Sequence, residues 1–126
     1  MYETLTVSSI SGVRPARVAL HSFVTAAGAG DVSDDAVLVL SELLTNALTH
    51  TPGPAVVEFS ITENMLHICV SDPSTVPPNR VEPAFGAPHG RGLALVGVLC
   101  TSHGWDVSSK SKKVWAVLST QSAVKV

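Results

Sequence analysis

Charged residues, cysteines and long hydrophobic runs are all scarce in this chain. Charged residues make up 14% of the 126 residues and hydrophobic residues 45%, a balance that excludes a disordered, highly charged tail and permits a real core. No run approaches the roughly 18 apolar residues of a membrane span, so we expect no membrane partner. The length fits one domain over residues 1–126, and the first residues lack the basic and apolar parts of a targeting segment, so we expect a cytoplasmic protein.

Basic charge is scarce as well. The formal net charge of −2 at pH 7 gives no basic field that would attract nucleic acid, so we expect no direct nucleic-acid partner. The two cysteines, Cys69 and Cys100, each lie in an apolar run, at a spacing that suits no usual metal site. We therefore expect both to be reduced residues of the core.

The hydrophobic pattern predicts a strand, two helices, a hairpin, a loop, a third helix and a second hairpin. The predicted strands cover 4–10, 55–62, 65–71, 105–108 and 114–118, and the predicted helices cover 13–27, 33–49 and 92–99. Ser33 is the expected N-cap of the second helix. The proline-rich stretch from Asp72 to Gly90 predicts an irregular loop, which in so small a domain is usually functional.

The segment ELLTNALTH contains a carboxylate, a carboxamide and an imidazole, each four residues from the next. At about 100° per residue the polar side chains share one arc of a helix, while leucines fill the opposite arc. This polar arc consists of Glu42, Asn46, Thr49 and His50. A glutamate one turn from an asparagine can activate a hydroxyl group while the amide oxygen helps to bind Mg²⁺. The alternative is an amphipathic helix with a solvated polar face.

Asp72 directly follows the predicted strand 65–71, whose apolar run Ile68-Cys69-Val70 is followed by Ser71. A carboxylate at a strand end, beside apolar walls, can accept a hydrogen bond from the exocyclic amine of adenine and so favour adenine over guanine. The alternative is that the Asp72-Pro73 pair only starts a turn.

The segment Gly90-Arg91-Gly92-Leu93 lies where the loop meets the predicted third helix. Free N–H groups at a helix start bind phosphate, and glycines let the backbone approach it closely. Arg91 can add a charge-assisted contact to phosphate or to a partner protein. The alternative is a plain loop-to-helix junction.

In this order along one short chain, the three motifs resemble those of the GHKL nucleotide-binding family, which includes histidine kinase catalytic domains and gyrase. The similarity spans about residues 15–118 and is greatest to the small bacterial anti-sigma-factor serine/threonine kinases, whose E-L-x-T-N-A box matches residues 42–47 here. The resemblance implies the Bergerat fold. This is an α/β (α+β) two-layer sandwich with a mixed, mostly antiparallel sheet and helices on one face.

The resemblance also implies a role for each motif residue. Glu42 would be the catalytic base, Asn46 would bind Mg²⁺, and His50 would lie near the phosphates. Asp72 would accept a hydrogen bond from the adenine amine of ATP. A lid would cover about residues 73–90. Where the lid ends, the triphosphate would be contacted by Gly90, Arg91, Gly92 and Leu93.

The sequence departs from the family pattern in two places. Asp72 is followed by Pro73, Ser74 and Thr75, where the family usually has glycine. Lys113 aligns with a late-strand threonine that, in the family, shares a water molecule with the aspartate. We expect nucleotide binding to be retained but weaker.

The leading functional interpretation is a kinase that uses ATP and Mg²⁺. The resemblance implies that it phosphorylates a serine or threonine of a STAS-type anti-sigma factor antagonist, sequesters a sigma factor and forms a homodimer. The alternative is a non-catalytic partner-binding module on the same fold, with or without nucleotide. A gyrase-like or histidine kinase fragment is less expected, because this length leaves no room for a transducer domain, a dimerisation helix or a phosphoacceptor segment.

Overall fold

The computed structural model describes residues 1–50, 53–74 and 92–121, except for the side chains of residues 50 and 92–95. Within these ranges lie strands, α-helices and two short 3-10 helices, the latter at Ile10–Gly12 and Gly30–Val32. The strands are β1 (Tyr2–Val7), β2 (Ala55–Thr62), β3 (Met65–Asp72), β4 (Ser102–Val107) and β5 (Lys112–Ser119). The α-helices are α1 (Val13–Ala26), α2 (Ser33–His50) and α3 (Gly92–Leu99).

The strands form one sheet in the order β1-β2-β3-β5-β4. Period-two alternation along β2, β3 and β5 directs the apolar side chains to one face. Helix α2 packs against that face, and α1 and α3 pack against α2. The two-layer α/β sandwich with helices on one face is therefore confirmed. Where the sequence suggested a mixed sheet, every pairing between the described strands is antiparallel.

The hydrophobic core lies between the helices and the sheet. Phe23 of α1 and Phe59 of β2 join the two layers through rings whose centroids are 5.7 Å apart. Each fully buried large apolar side chain stabilises the fold by about 1.5–3 kcal/mol relative to an exposed one. The largest are Phe59, Leu20, Leu40, Leu44, Leu66, Ile68 and Leu118.

Two predicted chain reversals are confirmed. Helix α1 ends at Ala26, and Gly28 follows with a φ of +75°, a conformation that glycine adopts without strain. Strands β2 and β3 are joined through Glu63 and Asn64, whose φ angles of 52° and 64° fit the tight hairpin turn that matches strand twist.

Several element ends differ from the sequence-based prediction. β1 covers Tyr2–Val7 rather than 4–10, because Ile10 belongs to a 3-10 helix. β4 and β5 extend beyond their apolar residues, because pairing between neighbouring backbones continues through polar positions such as Ser102 and Lys112. The turn between them is closed by a hydrogen bond of 2.8 Å from Ser108 N–H to the carbonyl oxygen of Ser111.

Two predictions about single residues are wrong. Ser33 has helical dihedral angles, φ −56° and ψ −46°, so it is not an N-cap, and its hydroxyl instead lies 2.6 Å from Nδ1 of His21. Cys69 is half-buried on the sheet face opposite the helices, because alternation separates it from Ile68 and Val70. Cys100, also a free thiol, does pack against the core.

Among the helices of the described ranges, none combines the length and the apolar character needed to cross a membrane.

Candidate functional site

Three members of the polar arc predicted on α2 can be compared with the structure: Glu42, Asn46 and Thr49 all lie on the helix and none is buried. Leu40, Leu43 and Leu44 are buried in the core, whereas Glu42 and Asn46 are half-buried one turn apart on the same helix. Apolar residues at i and i+3 or i+4 anchor α2 to the sheet and so determine which way the remaining positions face. The carboxylate and the carboxamide are therefore held on a packed helix rather than on a loop.

Asp72 is the last residue of β3, and its side chain faces the helix layer. The whole residue is 4% exposed, so the carboxylate is nearly removed from solvent. Oδ1 accepts a hydrogen bond of 2.8 Å from the backbone N–H of Ser74. This contact closes the turn expected at Asp72-Pro73, so the structural and the ligand-binding interpretations of Asp72 are compatible.

The opposite strand contributes a lysine to the same place. β3 and β5 pair so that Asp72 lies opposite Lys112, and Nζ of Lys112 lies 3.5 Å from Oδ2 of Asp72. Lys112 is 7% exposed. A lysine is seldom buried to this extent unless its charge is paired, and the carboxylate supplies that pair.

The expectation that Lys113 stands beside the aspartate is wrong. Lys113 lies opposite Ser71 and is exposed, because successive side chains of a strand point to opposite faces of the sheet. The sequence analysis did not predict a role for Lys112, although the alternation of buried residues along its strand indicates one. Counting back in twos from Leu118 and Ala116, which are apolar and buried, leads to Lys112 on the core face.

The remaining predicted residues are only partly described. Gly92 is the first residue of α3, as predicted. Helix α3 packs against α2, and its residue Val96 is buried in the core. Gly90 and Arg91 lie outside the described residues, as do the side chains of His50 and Leu93 and the predicted lid after Ser74. Their predicted contacts to phosphate stay predictions.

The donor set on α2 is compatible with Mg²⁺. In the described part of the chain, no three His, Cys, Asp or Glu side chains come together as a metal site. Mg²⁺ commonly retains water molecules and binds proteins through one or two oxygens together with substrate phosphates. The amide oxygen of half-buried Asn46 fits such a limited role.

This fold, with a strand-end carboxylate at the sheet and a Glu-Asn pair on the packed helix, defines a nucleotide-binding domain of the GHKL type. The family model described as the histidine kinase-like ATPase domain matches residues 7–118. The chain belongs to this family. A search of curated proteins found no match.

Family membership supports an ATP-binding regulatory function. GHKL ATPase domains bind ATP, usually with Mg²⁺, and have ATP-dependent kinase or ATPase activity. The match covers α2, β3 and α3 and extends to Leu118 of β5, so it includes the residues of the three motifs and Lys112.

Proposed function

We propose that this protein is a serine/threonine kinase that uses Mg²⁺ and ATP to phosphorylate a STAS-type anti-sigma factor antagonist. In this proposal it also binds and sequesters a sigma factor. The observation that carries the proposal is the half-buried Glu42–Asn46 pair on α2, in a chain that belongs to the histidine kinase-like ATPase family.

Each described residue has a defined task in this proposal. Glu42 accepts the proton of the attacking serine or threonine hydroxyl, which makes the oxygen a better nucleophile. The amide oxygen of Asn46 binds Mg²⁺, which neutralises phosphate charge when the nucleotide is bound. The backbone N–H groups at the start of α3 face developing negative charge on the phosphates. Phosphoryl transfer depends mainly on positioning and charge stabilisation, so these few groups suffice.

Asp72 is the proposed recognition group for the base. Its carboxylate can accept a hydrogen bond from the exocyclic amine of adenine, and because the residue is only 4% exposed, little water competes for that bond. The contacts that Asp72 makes with Ser74 and Lys112 hold the carboxylate in one orientation before the base arrives.

The test is phosphoryl transfer to a panel of STAS-type antagonists, with labelled ATP and Mg²⁺. We expect Glu42→Gln to lower the transfer rate by about 10²- to 10⁴-fold without changing nucleotide affinity. Glu58→Gln is the matched control, because Glu58 lies on the opposite face of the sheet, where it accepts a hydrogen bond of 2.7 Å from the hydroxyl of Tyr2. A nucleotide-loaded protein that phosphorylates none of the antagonists would contradict the kinase proposal, as would equal rates in the parent and Glu42→Gln.

One observation favours a second candidate, the non-catalytic partner-binding module. Asp72 is already in contact with the Lys112 ammonium and with the backbone of Ser74, so the carboxylate is stable in the fold without a base. In its nucleotide-free form, this alternative predicts that partner binding is the same with and without nucleotide and is unchanged in Glu42→Gln. Pull-down of the same partner panel, with and without ATP and Mg²⁺, distinguishes the two functions.

A further inference from the structure

Lys112 brings a cation next to the carboxylate that is proposed to contact the base. Its Nζ lies 3.5 Å from Oδ2 of Asp72, and the two side chains retain only 8% and 1% of their exposure. A group that reaches Oδ2 of Asp72 therefore comes within reach of the Lys112 ammonium as well. Each carboxylate oxygen can accept more than one hydrogen bond, so these contacts leave Asp72 able to accept from a base.

A carboxylate beside an ammonium is chemically different from a carboxylate alone. An ionised aspartate can only accept hydrogen bonds, whereas a lysine can only donate them. Adenine carries an amine donor at position 6, and guanine carries a carbonyl acceptor at the same position. Asp72 by itself favours the amine and repels the carbonyl oxygen. The pair provides a partner for either group.

We propose that Lys112 is a specificity-determining residue whose ammonium allows the base pocket to accept 6-oxopurines as well as 6-aminopurines. The ligand class is then purine nucleoside triphosphates rather than ATP alone. This inference rests on the proposed function, because it requires that Asp72 face the base of a bound nucleotide.

The neighbouring lysine provides a matched control. Lys113 carries the same charge one residue later, yet it is exposed on the other face of the sheet, opposite Ser71. Replacing either lysine with methionine removes one positive charge from β5. Only the replacement at Lys112 removes a donor from the vicinity of Asp72, so a general loss of attraction for the triphosphate is separated from a change in base recognition.

The first experiment uses the unaltered protein. Calorimetric titration with non-hydrolysable analogues of ATP, GTP and ITP, in the presence of Mg²⁺, should give dissociation constants within about tenfold of one another. Binding of the ATP analogue with rejection of both 6-oxopurines by about a hundredfold or more overturns this inference and leaves the proposed function intact. If no nucleotide binds, the proposed function itself fails.

The second experiment compares variants with the same ligands. Lys112→Met should lose about tenfold more affinity for the GTP analogue than for the ATP analogue, because the carbonyl oxygen is left beside a carboxylate without a donor. Lys113→Met should change both affinities equally. An unchanged ratio of the two affinities in Lys112→Met overturns the inference. If Lys112→Met does not fold, rejection of the 6-oxopurines by the unaltered protein still overturns the inference.

Discussion

Trp115 of β5 lies directly against Gly104 of β4, its partner in the sheet register. A Cβ atom added at Gly104 would be 2.7 Å from Cζ2 and 3.1 Å from Cε2 of the indole ring. The first distance is shorter than real Cβ contacts show and the second is tighter than most of them, so the indole or the backbone must shift to admit the atom. Glycine at this position is therefore required by the packing of the tryptophan across the strand pair.

We expect Gly104→Ala to destabilise the fold by about 1–3 kcal/mol, because the indole or the strand must shift to admit the methyl group. Gly30→Ala is the control, since a Cβ there has open space and Gly30 has no positive φ. It should change the free energy of unfolding by no more than about 0.5 kcal/mol. Urea denaturation of both variants measures the difference, and equal midpoints would show that the Trp115 contact imposes no constraint.

The buried ion pair predicts a second stability effect. Lys112→Met should cost about 3–5 kcal/mol, because it leaves the Asp72 carboxylate buried without its cation. The double variant Asp72→Asn/Lys112→Met should recover part of this loss, since neither charge then remains. Exposed Lys113→Met should be nearly neutral. A double-mutant cycle by chemical denaturation gives the coupling energy, and a coupling near zero would contradict the pairing.

Asn46 predicts a dependence on Mg²⁺. If its amide oxygen binds the ion, Asn46→Ala should reduce the gain in nucleotide affinity on adding Mg²⁺ by about tenfold. Affinity measured in the presence of a chelator should stay the same, because the base and sugar contacts are not altered. Titration calorimetry under both conditions provides the comparison. An equal Mg²⁺ effect in the parent and the variant would exclude Asn46 as a ligand.

Cys100 predicts a change of stability at alkaline pH. Burial disfavours the thiolate, and Asp35 adds repulsion, so the pKa of Cys100 rises from 9.0 to about 11. In the unfolded chain the thiol ionises near 9.0, whereas the folded chain retains the proton. The contribution of Cys100 to stability is therefore complete below pH 9.0 and is lost as the pH rises towards 11.

The measurement for Cys100 is the slope of unfolding free energy against pH between 9 and 11. Cys100→Ala should show a shallower fall than the parent, whatever its stability at neutral pH. Comparing slopes removes the packing cost of the smaller side chain. Parallel curves for the two proteins would show that the thiol keeps its ordinary pKa in the fold.

The helices and strands that the sequence predicted correctly are those whose hydrophobic pattern lies within one short segment of the chain. The helix that carries Glu42 and Asn46 follows from the period of its leucines, and the β2–β3 hairpin follows from alternation around Glu63 and Asn64. The strand ends were less predictable, because polar residues such as Ser102 are held in β4 by a neighbouring strand rather than by their own preference.

The candidate site was likewise predictable only for residues whose position follows from their own segment of the chain. Asp72 follows from its position after an apolar strand, but its partner comes from β5, which is distant in the sequence. An alignment by motif selected Lys113, and a shift of one residue moves a strand side chain to the other face. Only the register between β3 and β5 identifies Lys112 as the residue beside Asp72.

The register that joins β3 to β5 also bears on the order of folding. β2–β3 and β4–β5 are hairpins of neighbouring segments, which form within microseconds, whereas β3 must meet β5 across a long intervening stretch of chain. We expect this central pairing to be incomplete in the folding transition state, so that Lys112→Met accelerates unfolding and leaves the folding rate nearly unchanged. Stopped-flow rates for the variant test this, and a slower folding limb would refute it. In kinetic terms, the Asp72–Lys112 contact then sets the lifetime of the folded protein rather than the speed of its formation.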